Sequence, residues 1–153
     1  MRHPDAHAVV FRKFGCDLRT SVFNQVLWAI DALGVSGYFK ATVSPMEITY
    51  LPTGQKIIFA GLDDPRKKKS QKMPFGYFRF AWFEELEQYD GMEEIRSVVQ
   101  SYMRGGNAFS YFYSYNPPQT RSNWVNAEAE RDVPNRNVHT TTYLTAPREW
   151  LGK

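Results

Sequence analysis

The hydrophobic pattern alternates between short apolar runs and segments whose apolar residues recur at helical spacing. The apolar runs predict strands at residues 8–11, 38–43, 47–50, 56–59, 77–83, 109–115 and 138–143. The helical spacing predicts helices at residues 20–33, 91–103 and 122–130. Because strands alternate with helices, the pattern favours a single α/β domain whose sheet contains parallel strands.

Turn and cap residues mark the ends of several of these elements. Gly34 follows the first helix and is a natural stop for it. The segment 52–54, Pro-Thr-Gly, separates two apolar runs, which predicts a β-hairpin. Asp90 and Glu93 have the spacing of a capping box, so Asp90 is the predicted cap of the second helix.

Two glutamates follow a strongly apolar run. Residues 80–83 are apolar, and Glu84 and Glu85 come directly after them. The C-terminal ends of buried parallel strands face the ligand crevice of an open α/β sheet. This is the pattern of a Walker B strand, in which the first acid holds Mg²⁺ and the second orients or deprotonates the attacking water. The alternative is that the acids only mark where the strand meets solvent.

A hydroxyl and an amide follow the next predicted strand. Ser114 and Asn116 are two positions apart and therefore lie on the same face of an extended chain. Such groups can hydrogen-bond a γ-phosphate or the water in line with it, and so distinguish ATP from ADP. The alternative is an Asx-type turn before Pro117.

The positive charge is unevenly distributed, and its longest uninterrupted run lies in one predicted loop. The chain has a net charge of +3, and four consecutive cations, Arg66, Lys67, Lys68 and Lys69, precede the Walker B-like strand. They suit contacts with DNA phosphates or with the nucleotide of a neighbouring subunit. A solvated loop is the other interpretation. Arg12, at the end of the first predicted strand, is a crevice candidate or an ordinary strand cap.

Several classes of protein are disfavoured by composition. A single cysteine, Cys16, forms no internal disulfide, so nothing suggests secretion. No apolar run reaches the roughly 20 residues that span a bilayer, and the N-terminus has no apolar signal segment. The three histidines lack metal-ligand spacing. The simplest prediction is a cytoplasmic protein that does not interact with a membrane.

Eight short segments occur along the chain in an order that is typical of one protein family. They are residues 8–13, 17–30, 44–48, 54–59, 61–65, 82–86, 93–96 and 113–118. This succession resembles the PBSX-type phage terminase large subunit over nearly the whole chain. The resemblance implies a RecA-like P-loop ATPase core of the additional-strand type, with a mostly parallel sheet flanked by helices. It further implies that residues 1–153 are a single partial motor domain, incomplete at its N-terminus and without the family's nuclease domain.

The same resemblance implies a function and a set of roles. ATP and Mg²⁺ would be the cofactors of a motor that moves double-stranded viral DNA into a capsid. Glu84 would be the Mg²⁺-side acid, Glu85 the catalytic glutamate, and Ser114 and Asn116 the coupling residues. The basic loop lies where related motors place a trans-acting arginine finger, with Lys69 the better-aligned residue. The implied partners are the portal protein, the small terminase subunit and further copies in a ring, in the cytoplasm of an infected or lysogenic bacterial host.

One expected motif is absent from the sequence. The phosphate-binding pattern G-x-x-x-x-G-K-[ST] occurs nowhere in it, and the only Gly-Lys pair is Gly152-Lys153. We therefore expect a truncated, split or partial gene product that by itself binds ATP weakly or not at all. Two other functions stay open. One is a metal-dependent nuclease or phosphatase that uses Glu84, Glu85 and Asp90, and the other is a non-enzymatic nucleic-acid-binding module that depends on the cationic loop.

Overall fold

One mixed sheet organises the molecule. The computed structural model describes residues 3–63, 72–120 and 122–147, and these form a six-stranded sheet in the order β2-β3-β4-β1-β5-β6. The strands are β1 Ala6–Arg12, β2 Phe39–Val43, β3 Met46–Tyr50, β4 Gln55–Gly61, β5 Tyr77–Glu84 and β6 Ser110–Ser114. Strands β4, β1, β5 and β6 are parallel, whereas β2 and β3 extend the sheet in antiparallel pairs. The predicted α/β class and the predicted hairpin are confirmed.

The predicted helices are present with small differences. A π-helical turn, Arg19–Phe23, leads into α1, Asn24–Ala32, and the left-handed Gly34 (φ 67°) follows its end. The helix α2 spans Met92–Tyr102 and α3 spans Trp124–Glu130. None of the helices in the described ranges is long and apolar enough to cross a membrane.

The predicted strand at residues 138–143 is wrong. These residues adopt irregular structure, and the side chains of Val138 and Tyr143 are 62% and 72% exposed. Strand propensity is realised only where a residue packs on a half-buried sheet. The segment has the composition of a strand, but among the described residues it pairs with none of the six strands of the sheet.

The predicted capping box is also wrong in detail. Gly91, not Asp90, is the N-cap residue of α2, and no side chain caps it. The carboxylate of Glu94 instead accepts a hydrogen bond from the backbone N–H of Asp90 at 3.0 Å. The acid that reaches back over the helix start is thus one residue later than the spacing predicts.

The two faces of the sheet carry separate cores. On one face Val10 packs with Val22, Phe23 and Ile30, which belong to α1 and the turn before it. On the other face Phe11 stacks on Phe83, with ring centroids 4.8 Å apart, among residues of α2 and α3. Because side chains alternate along a strand, the next residue of β1, Arg12, projects toward the α1 side.

Candidate functional site

Three predicted site residues form a row along the C-terminal ends of the strands. Phe11 of β1 pairs with Phe83 of β5, so Arg12 and Glu84, the next residues, lie side by side. Glu84 in turn pairs with Ser114 of β6. The row crosses the C-terminal ends of three parallel strands, the edge at which open α/β sheets bind ligands.

Arg12 is the electrostatic centre of this row. Its Nη1 donates to Glu84 Oε2 in a close ion pair and lies 3.8 Å from Glu85 Oε1, while Nη2 donates to Asp17 Oδ2 at 3.4 Å. Burial by itself lowers the pKa of the Arg12 guanidinium, but the hydrogen bond and the charge of Glu84 outweigh it and the pKa is raised. Arg12 therefore stays charged among three carboxylates.

A contact between two glycines brings Asp17 to the row. Gly61 ends β4 beside Arg12, and a Cβ atom at Gly61 would collide with the backbone of Gly15. Without side chains the two segments pack directly together, which holds the turn Gly15–Asp17 over the strand ends. The Asp17 carboxylate thereby comes within reach of Arg12.

Glu85 has an unusual backbone conformation. It is left-handed (φ 53°, ψ 58°) and precedes the short 3₁₀ helix Leu86–Gln88, whose Leu86 is buried. Non-glycine residues rarely adopt this conformation, and when they do they often lie at functional sites. The turn takes Glu85 out of the line of β5, so that both adjacent carboxylates approach Arg12.

Glu87 lies in the same turn and contacts Glu85. Its pKa is raised to about 7, chiefly by burial, and further by a hydrogen bond to the Glu85 carboxylate and by the charges of Glu85 and Glu84. Three glutamates thus crowd one end of β5. Near neutral pH, Glu87 carries a proton for a substantial part of the time.

Ser114 is held in place by an aromatic side chain. The indole Nε1 of Trp82 donates to Ser114 Oγ at 2.7 Å. A cavity of about 190 Å³ opens beside this pair, and Glu84, Glu85 and Asn116 line it. The structure therefore places the predicted carboxylates and the predicted hydroxyl and amide around one cavity.

Asp90 does not join the two glutamates. Its carboxylate accepts from Lys13 Nζ at 2.9 Å, and Lys13 also pairs with Glu94 at 2.8 Å. Lys13 follows Arg12 but lies on the opposite face of the sheet, where its ion pairs link the end of β1 to the start of α2. A nuclease centre built from Glu84, Glu85 and Asp90 is therefore not assembled in this structure.

The cationic run Arg66, Lys67, Lys68 and Lys69 lies outside the described residues. Among the described residues, no group of three or more histidine, cysteine, aspartate or glutamate side chains forms a ready cation site. Sequence reasoning missed Asp17, Trp82 and Glu87 as neighbours of the row. Only the position of Glu87, two residues after the acidic pair, was a usable signal.

The family of the chain follows from comparison with known proteins. A family model described as "Phage terminase large subunit" matches residues 1–153. The "Terminase, large subunit" of Bacillus phage SPP1 is 37% identical over 145 residues, which cover 91% of this chain and 34% of the phage protein. The chain belongs to the phage terminase large subunit family. It spans about a third of the length of this curated relative.

A solved structure has a similar fold. The crystal structure of the HK97 bacteriophage large terminase superposes with a TM-score of 0.51 at 14% sequence identity. The match covers 71% of this chain and 22% of the HK97 chain. The mixed sheet with flanking helices is therefore an arrangement that is also found in a phage large terminase.

Proposed function

We propose that this chain is part of the ATP-hydrolysing motor of a large terminase subunit, which moves viral DNA into a capsid. The observation that carries the proposal is the row of Arg12, Glu84 and Ser114 at the ends of three parallel strands, with Glu85 beside it. Family membership supports the same function. The proposed fold is a RecA-like P-loop core to which residues 1–153 contribute one partial domain.

The oxygen ligands at the row suit the proposed cofactors, ATP and Mg²⁺. Mg²⁺ usually binds through one or two carboxylates together with substrate phosphates, rather than in a cage made only by the protein. Glu84 offers a carboxylate and Ser114 a hydroxyl at the same edge. When bound, Mg²⁺ would neutralise charge on the β- and γ-phosphates.

Glu85 is the proposed catalytic residue. It lines the cavity beside the strand ends and is one residue beyond the proposed Mg²⁺-side acid. A carboxylate in this position can orient or deprotonate the attacking water. Ser114 and Asn116 line the same cavity and are the proposed coupling residues. Ser114 ends β6 and Asn116 follows it, so a change in their hydrogen bonds to the γ-phosphate can be passed on to this strand.

The free edge of β6 offers a place for the missing phosphate-binding loop. Within the described ranges no strand pairs with the outer edge of β6, and its Tyr111, Phe112 and Tyr113 are 40%, 55% and 39% exposed. A P-loop follows a strand and precedes a helix. We propose that a terminase segment carrying the loop pairs with this edge, because the 153 residues span only 34% of the SPP1 relative.

The proposed partners follow from the same function. Arg66, Lys67, Lys68 and Lys69 would contact double-stranded DNA phosphates or the nucleotide of a neighbouring subunit. The portal protein, the small terminase subunit and further copies in a ring would complete the machine in the bacterial cytoplasm.

The proposed function is tested by Glu85→Gln in a large terminase polypeptide that contains this region. The expected result is a loss of ATP hydrolysis of about 100-fold or more with nucleotide binding retained, because a positioned base contributes about that much. Glu93→Gln, at an exposed position of α2, is the matched control and should hydrolyse ATP normally. A Glu85→Gln protein that hydrolyses ATP at the wild-type rate contradicts the proposal.

Nucleotide titration of the 153-residue chain tests the role of the missing loop. Without a backbone cradle and a P-loop lysine, we expect weak ATP binding or none. Micromolar affinity of the chain alone would show that phosphate binding does not depend on the missing loop.

A further inference from the structure

One guanidinium is shared by three carboxylates at the strand ends. Arg12 contacts Glu84 most closely, Asp17 at 3.4 Å and Glu85 at 3.8 Å. The side chains of Arg12 and Glu84 are only 8% and 15% exposed, whereas that of Asp17 is 43% exposed. The strongest contact of Arg12 is therefore also the least solvated one.

The charges of this group do not cancel. Three carboxylates around one guanidinium carry a net charge of −2, which is the charge that one divalent cation neutralises. The adjacent carboxylates of Glu84 and Glu85 are only 15% and 26% exposed, so solvent screens their mutual repulsion incompletely. The group is thus electrostatically incomplete with Arg12 alone, and it favours a second cation.

Arg12 and a second cation need the same oxygen atoms. Glu84 is engaged through Oε2 by Nη1 of Arg12, so a cation that approaches this carboxylate meets a competitor already in place. Arg12 has another acceptor within reach, because Nη2 already lies against Asp17. Its Nε is buried with no hydrogen-bond partner among the described residues, so the side chain is not locked at every donor.

We propose that Arg12 is a positioning residue that competes with a divalent cation for Glu84 and retreats to Asp17 when the cation binds. The pair Arg12–Glu84 is then the closed arrangement of the site, and Arg12–Asp17 the open one. The inference rests on the proposed function only in taking Glu84 as the cation-side acid. It adds a regulatory role for Arg12 and Asp17 that the roles of Glu84 and Glu85 do not require.

Lys13 provides the matched control for this proposal. It is the next residue, it is cationic, and it is also paired with two carboxylates, those of Asp90 and Glu94. Its partners lie at the start of α2 rather than at the row. Removal of its charge therefore changes the net charge as Arg12→Gln does, without removing the competitor at Glu84.

The test is Mn²⁺ binding, measured by calorimetry and by the spin-resonance signal of free Mn²⁺, on the chain without nucleotide. Arg12→Gln removes the competing guanidinium, so its Kd for Mn²⁺ should be about tenfold or more below that of the wild-type chain. Tenfold corresponds to about 1.4 kcal/mol of binding free energy. Lys13→Gln should bind Mn²⁺ as the wild-type chain does. Glu84→Gln should lose Mn²⁺ binding, and its failure to do so contradicts the metal role in the proposed function as well as this inference.

A second variant separates competition from a merely structural role of Arg12. Asp17→Asn removes the open-state acceptor and should weaken Mn²⁺ binding about threefold in the wild-type background, but clearly less in Arg12→Gln, since coupled neighbours are non-additive. Asp17 is exposed enough for this variant to fold even if Arg12→Gln does not. Mn²⁺ binding by Asp17→Asn as tight as that of the wild-type chain overturns the inference without any need for Arg12→Gln. Equal effects of Asp17→Asn in the two backgrounds, Mn²⁺ binding by Arg12→Gln no tighter than wild type, or no Mn²⁺ binding in any variant also overturn it.

Discussion

At the N-terminal end of β1, His7 is 1% exposed and both of its ring nitrogens are hydrogen-bonded. Nδ1 accepts from the backbone N–H of Lys56 at 3.0 Å, and Nε2 donates to the carbonyl oxygen of Phe75 at 2.8 Å. Burial lowers the pKa of His7, so the ring is neutral. Five residues later on the same strand, Arg12 is charged and faces three carboxylates, and its Nε has no hydrogen-bond partner within the described part of the chain.

The environments of His7 and Arg12 contribute differently to the stability of the fold. Neutral groups that satisfy one another add to stability at the His7 end. Like charges and a left-handed glutamate are destabilising at the Arg12 end, and such features persist where a site requires them. Substitutions at the two ends should therefore differ in their effect on stability.

Removal of the His7 ring should cause the largest loss of stability. His7→Ala leaves the N–H of Lys56 and the carbonyl of Phe75 without their partner, and each buried unpaired group costs about 1–3 kcal/mol. The free energy of unfolding, measured by urea denaturation, should fall by about 3 kcal/mol. His3→Ala, which removes a ring that is not buried, should change it by less than about 0.5 kcal/mol. Similar values for the two variants would contradict the difference between the ends.

The glycine contact near the row should be nearly as sensitive. Gly61→Ala inserts a methyl group into the backbone of Gly15 and should lower the unfolding free energy by about 2 kcal/mol, the usual cost of overpacking. Gly37→Ala is the control, because no atom lies within 4 Å of the Cβ it would add. Circular dichroism during thermal unfolding measures both. Equal melting temperatures for Gly61→Ala and Gly37→Ala would show that the Gly15 and Gly61 segments can move apart without a loss of unfolding free energy.

Relief of strain at Glu85 should increase stability. Glu85→Gly removes the left-handed penalty and one of the crowded charges, so the unfolding free energy should rise by about 1 kcal/mol. Glu93→Gly, at an exposed helical position, should lower it by up to about 1 kcal/mol. Chemical denaturation of the two variants gives the signs directly. A loss of stability in Glu85→Gly would mean that the carboxylate contributes more than its backbone costs.

The smallest expected effect is a difference in pH dependence. The folded-state pKa of Glu87 is about 7 and its ordinary value is 4.5, so the unfolded chain releases this proton first. Wild-type stability should therefore fall, relative to Glu87→Gln, by about 1 kcal/mol as pH rises from about 5 to about 8, with allowance for solvent screening. Melting temperatures across that range measure the difference. Parallel curves for wild type and Glu87→Gln would place the Glu87 pKa near its ordinary value.

Local signals predicted the elements of the site but not their arrangement. The apolar run before Glu84 predicted a buried strand, and the same reasoning placed Arg12 and Ser114 at strand ends. No local pattern shows that β1 lies between β4 and β5, because that order depends on packing between distant segments. Asp17 was missed for the same reason, since it reaches Arg12 through the contact between Gly15 and Gly61.

The failed predictions have a related cause. Residues 138–143 have a strand-like composition, but strand formation depends on burial against a sheet, which the sequence of the segment does not encode. The raised pKa of Glu87 likewise depends on burial and on the approach of Glu85. Hydrophobic periodicity predicts which face of a helix or strand is apolar. It does not predict which residues from other segments contact the polar side chains of that element.

The row across the strand ends also has a consequence for the order of folding. Arg12 and Glu84 are 72 positions apart in the chain, and Trp82 and Ser114 are 32 apart. Contacts between such distant segments form only after the loop-closure entropy of the intervening chain has been overcome. Glu84 and Glu85 therefore meet the guanidinium only once β1 and β5 have aligned, and Ser114 joins them only when β6 has paired with β5. The complete row is thus a late product of folding, and a chain that is still incomplete during synthesis does not yet possess it.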